Sequence, residues 1–250
     1  MSALRVEREG PLLRIALARP ERRNAFDAAL IAELTGAFAD VGDVRAVVLT
    51  GDGPSFSAGA DVEWMRSSAE LSYEENVADA LRLRAMLDVI DSCPAPVVAG
   101  VQGHALGGGC GLVACCDIVV AEPETEFAFS EVKLGIVPAV ISPFALAKIG
   151  SSAARRYFVT GERFSAEVAL RIGLVHEVAD ELESAVDRVV GELLSVGPDA
   201  ARAAKALARA PRSAQETAEL IATHRTSAEG QEGLQAFLEK RAPGWTARDG

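Results

Sequence analysis

Leu12–Leu17 (LLRIAL) is an apolar run that predicts a strand, closed by Pro20. Phe26, Leu30, Leu34 and Phe38 then recur at helical spacing. They predict a helix over 25–38, with Asn24 or Asp27 as its cap. Arg45–Thr50 (RAVVLT) is a second short apolar run, stopped by Gly51-Asp52-Gly53-Pro54, and reads as a buried strand. The same unit recurs. A helical stretch over 76–92 ends at Pro94 and Pro96, strand Val97–Val101 follows, then glycines at 107–109, then strand Asp117–Ala121. The strands are continuous apolar runs rather than alternating ones. That pattern predicts an α/β fold whose sheet is covered on both faces.

After Ser165 the pattern changes. From Glu181 onward no strand candidate remains, and alanine, leucine, arginine and glutamate repeat at helical spacing with breaks at Pro198 and Pro211. Such a tail is too thin to hold its own core, so its apolar stripe must pack on this chain or on another subunit. The expected division is a core over 1–190 that carries the site and a helical region over 191–250.

The 250 residues are 49% hydrophobic and 24% charged, the balance of a soluble globular chain. No window offers the ~18 consecutive apolar residues of a membrane span. Arg5, Glu7, Arg8 and Glu9 interrupt the start, which argues against a signal peptide and for a cytoplasmic location. Cys93, Cys110, Cys115 and Cys116 form no Cys-x-x-Cys pair, and three of them lie in a small, apolar stretch. With histidines scattered at 104, 176 and 224 there is no zinc spacing, and the thiols read as buried and reduced. A net charge of −11 opposes a nucleic-acid surface. A small anionic ligand remains compatible with local basic residues, namely Arg19, Arg22 and Arg23 near the start and Lys240 and Arg241 near the end.

Three segments carry candidate chemistry. Ser55–Met65 (SFSAGADVEWM) is a strand–loop–helix junction whose small residues let backbone N–H groups approach a ligand. Val101–Cys116 (VQGHALGGGCGLVACC) places three glycines before a helical stretch, where free N–H groups and the helix dipole would face an oxyanion or phosphate. Tight helix–strand packing explains the same glycines. Phe127–Phe144 sets Glu131 in an apolar context, where desolvation would raise its pKa toward acid/base use. A surface glutamate beside Lys133 is the plainer reading of that segment alone.

Taken in order, SAGADVEWM, VQGHALGGGCGL…CCDIVVA and FSEVKLGIVP strongly resemble the crotonase, or enoyl-CoA hydratase/isomerase, superfamily. Arg22-Arg23-Asn24-Ala25-Phe26 and FLEKRAPGW (Phe237–Trp245) extend the resemblance over nearly the whole chain. It implies a spiral of ββα units with a helical C-terminal region that forms a homotrimer or a homohexamer. It also implies an acyl-CoA substrate, with coenzyme A as part of that substrate and no permanently bound cofactor. By motif match, the backbone N–H groups of Ala58 and Gly108 would hold the thioester oxygen as it gains negative charge, and Glu131 would be the acid/base. Arg22, Arg23 and Lys240 would pair with CoA phosphates, and the backbone at Ala25, Ala58, Ala60 and Asp61 would meet adenine and pantetheine. Trp64, Met65, Met86 and Leu87 are candidates for the acyl pocket. His104, beside the glycine loop, is left outside the catalytic set.

One departure stands out. Hydratases of the family carry a first glutamate where this chain has Gly111. A single glutamate suits an enoyl-CoA isomerase. The run SEVKLGIVPAVISPFALAKIG instead resembles a hydratase subgroup, similar to methylglutaconyl-CoA hydratase, that acts on branched or carboxylated substrates in leucine or isoprenoid breakdown. The hydratase is the favoured expectation. The isomerase and a catalytically impaired CoA-binding protein on the same fold are the alternatives.

Overall fold

The structure of the chain, a computed structural model, describes residues 2–246. The elements run β1 (Leu4–Glu9), β2 (Leu12–Leu17), α1 (Ala28–Ala39), β3 (Ala46–Gly51), α2 (Val62–Ser68), α3 (Tyr73–Asp91), β4 (Val97–Val101), β5 (His104–Leu106), α4 (Gly108–Cys115), β6 (Ile118–Ala121) and β7 (Glu126–Ala128). They continue with α5 (Ser142–Thr160), β8 (Phe164–Ser165), α6 (Ala166–Ile172), β9 (Glu177–Val178), α7 (Leu182–Ser195), α8 (Pro198–Leu207), α9 (Ala214–Thr226) and α10 (Ala228–Glu239). The helix expected over 25–38 begins three residues later, because Asp27 is the N-cap and accepts from the Leu30 N–H. α3 starts at a capping box in which Ser72 and Glu75 satisfy each other's backbone N–H groups.

Six strands form one sheet in the order β1-β2-β3-β4-β6-β9, and β5, β7 and β8 form a second. Among the described residues only the β1–β2 and β7–β8 pairs are antiparallel. Two successive turns of chain, β4-β5-α4 and β6-β7-α5, place one strand in each sheet and then a helix, which is the ββα unit of the spiral. Side chains of alternating parity explain the unbroken apolar runs. Val47, Leu49, Val97, Ala99 and Val119 join the main core with α1, α3 and α4. Their neighbours Ala46, Val48, Val98 and Val120 face the opposite way, onto Ala185, Val186 and Val190 of α7. Both faces of these strands are therefore buried.

Residue 190 lies inside α7, so the first helix after the last strand belongs to the covering of the sheet. The end of α7 and the following α8 are tied back to the same chain. Lys205 of α8 reaches Asp117 at 2.6 Å, and Arg45 donates to the carbonyls of Leu194 and Val196 at 2.7 Å each. No described helix is long and apolar enough to cross a membrane.

Candidate active site

Two backbone segments meet at a cavity of about 780 Å³. The first, 55–61, follows β3 and is held from both sides. The Ser57 N–H donates to His104 O at 2.9 Å, and the Leu106 N–H donates to Ser57 O at 3.0 Å. On the other side the Ala58 N–H donates to Arg23 O at 2.9 Å, Phe26 N–H to Gly59 O at 2.7 Å, and Asp61 N–H to Phe26 O at 2.8 Å. The Ala60 N–H is left over. It finds no acceptor among the described residues, and Ala60 lines the cavity. The expected donor at Ala58 is therefore corrected. Its N–H is occupied by the Arg23 carbonyl, and the open donor is Ala60.

The second segment begins α4. Gly107 adopts φ +49°, and its N–H donates to Ala128 O at 2.8 Å. The next N–H, of Gly108, is one of the groups a helix start leaves unpaired, and it has no acceptor among the described residues. Gly108 lines the same cavity. The dipole of α4 adds partial positive charge there.

Glu131 lines the same cavity from a 3₁₀ turn over Ser130–Leu134. A Cβ on Gly107 would lie 3.3 Å from its Oε1, so that glycine makes room for the carboxylate. Its Oε2 is buried and has no hydrogen-bond partner among the described residues. Burial pushes the Glu131 carboxyl above the usual carboxylate range, opposed in part by a hydrogen bond from its own backbone. Beside Gly111 there is no room for a second carboxylate. A Cβ there would sit 2.5 Å from Ile141 Cγ2 and 3.1 Å from Ile141 Cβ. Buried Ile141 fills the place.

The other expected residues divide. Arg22 is engaged by Asp61 and Glu63, at 3.0 Å each, and Asp61 is also the N-cap of α2. Ala25 donates its N–H to Arg22 O at 3.1 Å and accepts from Arg19 at 2.9 Å, so its backbone is not open to adenine as expected. Arg23 is exposed and makes no ion pair among the described residues. Lys240 closes α10 and lies outside the cavity lining. Trp64 and Met65 line the cavity, whereas Met86 and Leu87 are buried in the core. His104 sits off the cavity, 3.3 Å from Ser55 Oγ and 3.4 Å from Glu126. Sequence reasoning missed Phe26, Arg66, Asp79, Leu83 and Ile141 as lining residues. Asp79 and Leu83 lie one turn apart on α3, but that spacing marks a cavity wall only once the helix is oriented.

The class of site is thus an apolar cavity lined by two residues with unpaired backbone donors and by one desolvated carboxylate, on an α/β fold of ββα repeats. It suits a carbonyl compound whose oxygen gains negative charge as a proton moves nearby. A family model described as enoyl-CoA hydratase/isomerase matches residues 7–248. A crotonyl-CoA hydratase of Syntrophomonas wolfei is 32% identical over 249 residues, covering 94% of this chain and 95% of its own length. The crystal structure of an enoyl-CoA hydratase from Shewanella pealeana superposes with TM-score 0.92 at 39% identity, over 97% of this chain and 96% of that one. Pseudomonas aeruginosa AtuE gives TM-score 0.93 at 36% identity, over 98% and 100%. The chain belongs to the enoyl-CoA hydratase/isomerase family, and its fold is the crotonase fold.

Proposed function

We propose that the enzyme adds water to an α,β-unsaturated acyl-CoA, with Glu131 as its single acid/base and Ala60 and Gly108 as the enolate-stabilising donors. The observation that carries this reading is the unpartnered Glu131 Oε2, buried at a cavity that Ala60 and Gly108 also line, their N–H groups without acceptors among the described residues. The thioester oxygen accepts both N–H groups. Glu131 takes a proton from water as the hydroxide oxygen bonds to C3, and the electron pair of the double bond moves onto the thioester oxygen. Glu131 then returns that proton to C2 as the carbonyl re-forms. One carboxylate closes the cycle, so Gly111 is no obstacle. Removing one such donor costs about 10²–10³ in rate.

The preferred substrate is a branched or carboxylated enoyl-CoA such as 3-methylglutaconyl-CoA. Arg66 supports this, because it lines the cavity and makes no ion pair among the described residues. Exposed Arg23 is the better placed partner for a CoA phosphate, and Arg22 would first have to leave Asp61 and Glu63. Lys240 would serve a CoA bound near the end of α10. Phe237 and Leu238 on α10 are 81% and 78% exposed, which supports a homotrimer or hexamer that covers them. Light scattering at micromolar concentration tests the assembly, and a monomer would dismiss it.

The second reading is isomerisation, in which Glu131 carries a proton from C2 to C4 without water. Ile141 favours it, since an apolar side chain occupies the place beside position 111. Turnover of 3-methylglutaconyl-CoA, crotonyl-CoA and a 3-enoyl-CoA, followed by enoyl absorbance, separates the readings. The first is expected to be fastest. A protein active only on the 3-enoyl-CoA is an isomerase. Glu131→Gln is expected to lose about 10²–10⁴ in kcat while remaining folded. Full activity in that variant would dismiss the role.

A further inference from the structure

Asn24 is an unusual residue to find fully buried. It follows Arg23, and both adopt left-handed backbone, φ 51° and φ 54°. Asparagine tolerates that conformation better than most residues, while arginine does so at a cost. Its side chain is nearly saturated. Oδ1 accepts from the Arg19 N–H at 2.9 Å, and Nδ2 donates to Asp52 O at 2.9 Å and Ser55 O at 2.8 Å. Its own carbonyl accepts from Ser57 Oγ at 2.9 Å. The amide approaches so closely that a Cβ on Gly51, at the end of β3, would lie 2.9 Å from Nδ2.

These bonds join two stretches distant in sequence, 19–26 and 51–61. Just beyond Asn24 the same stretches pair through their backbones, Ala58 with Arg23, Gly59 and Asp61 with Phe26, closing an isolated parallel bridge between Phe26 and Ala60. That bridge uses the Gly59 carbonyl and the Asp61 N–H and leaves the Ala60 N–H out, while Ala60 lines the cavity. Asn24 touches nothing in the cavity. It fixes the register and rotation of the loop that presents the donor.

We infer that Asn24 is a positioning residue for catalysis, a clamp whose amide aims the Ala60 N–H at the substrate carbonyl oxygen. The inference rests on the reading of Ala60 and Gly108 as the donors to that oxygen. Misplacing a catalytic group by about 1 Å costs about 10² in rate. The effect falls on kcat, because the donor acts on charge that develops on the thioester oxygen only as the reaction proceeds.

The test uses Asn24→Gly, which keeps access to the left-handed conformation and removes the amide. Ser57→Ala is the second variant. It removes only the Oγ contacts to Asn24 O and to the Gly59 N–H, and it carries the test if the first does not fold. The probe is dimethylaminocinnamoyl-CoA, whose absorbance moves to the red when donors polarise its carbonyl. The wild-type protein is expected to shift the bound probe to the red. Asn24→Gly is expected to return the band most of the way to that of the free probe, with kcat down about 10². A full red shift in both variants overturns the inference, whether or not kcat falls, because loss without a spectral change is damage elsewhere. A wild-type spectrum identical to that of the free probe overturns the donor site itself and the inference with it.

Discussion

Gly111→Ala puts a methyl group 2.5 Å from Ile141 Cγ2 and 3.1 Å from its Cβ, with Leu87 Cδ2 at 3.7 Å. Carbon atoms pack at about 3.5–4.0 Å, so Ile141 must give way by about 1 Å. It is 2% exposed, so it can give way only by shifting its neighbours or by moving into the cavity it lines. Overpacking of this kind costs about 1–3 kcal/mol. Ile141→Ala removes three carbons from the same place and costs about 2–5 kcal/mol through lost contacts and a cavity. Together the two changes relieve each other, since the new methyl enters the space that Ile141 leaves. The double variant should therefore lose less than the sum of the singles, with a coupling of about 0.5–3 kcal/mol. Urea unfolding of all four proteins measures it, compared at equal m-value. Additive losses would refute the claim that Ile141 occupies the place beside position 111.

Two further predictions concern charge. The folded-state pKa of Glu131 is raised above its unfolded value, so its contribution to stability is fully present below about pH 4 and is lost as pH rises through the folded pKa. Glu131→Gln should consequently melt higher than the parent at neutral pH, with the gain vanishing in acid; a gain confined to acid would contradict the burial argument. Lys205→Met removes the 2.6 Å partner of Asp117 and a donor to Ala95 O, leaving a carboxylate only 23% exposed without its cation. A loss of about 3 kcal/mol in urea unfolding is expected, and an unchanged midpoint would show that α8 is not held to the core this way.

The large parallel sheet was legible because its strands are buried on both faces, and Val97–Val101 reads as one apolar run. β1 was not legible. It is an edge strand whose residues after Leu4, Val6 included, are all exposed. β5, β7, β8 and β9 are two or three residues long, too short for any periodicity, and exist through their partners alone. At the site, Gly108 and Glu131 were found by motif order, and the structure brings both to one cavity. Position 111 was recognised as a departure, but Ile141 lies 30 residues downstream and no local pattern pairs the two. By sequence Asn24 is a possible helix cap. The cap is Asp27, and the asparagine amide instead spans two segments that meet only in the folded chain.

The choice between Ala58 and Ala60 shows where sequence reasoning runs out. Both are alanines flanking Gly59, and only an account of every backbone donor distinguishes them. Side-chain substitution cannot remove an N–H, but replacing the amide by an ester at one residue does so and leaves the methyl in place. An ester at position 60 deletes a donor with no acceptor in the resting fold, so stability should hold. Its role appears only as charge develops on the thioester oxygen, where one donor is worth about 10²–10³ in kcat. An ester at position 58 deletes a bond to the Arg23 carbonyl instead. That should cost about 0.5–1.5 kcal/mol of stability, and kcat should fall far less than at 60. Semisynthetic proteins carrying each ester, compared by turnover and by urea midpoint, give two independent readings. The reverse pattern, with turnover lost at 58 and stability lost at 60, would return the donor to Ala58 and show that the loop turns over when substrate binds.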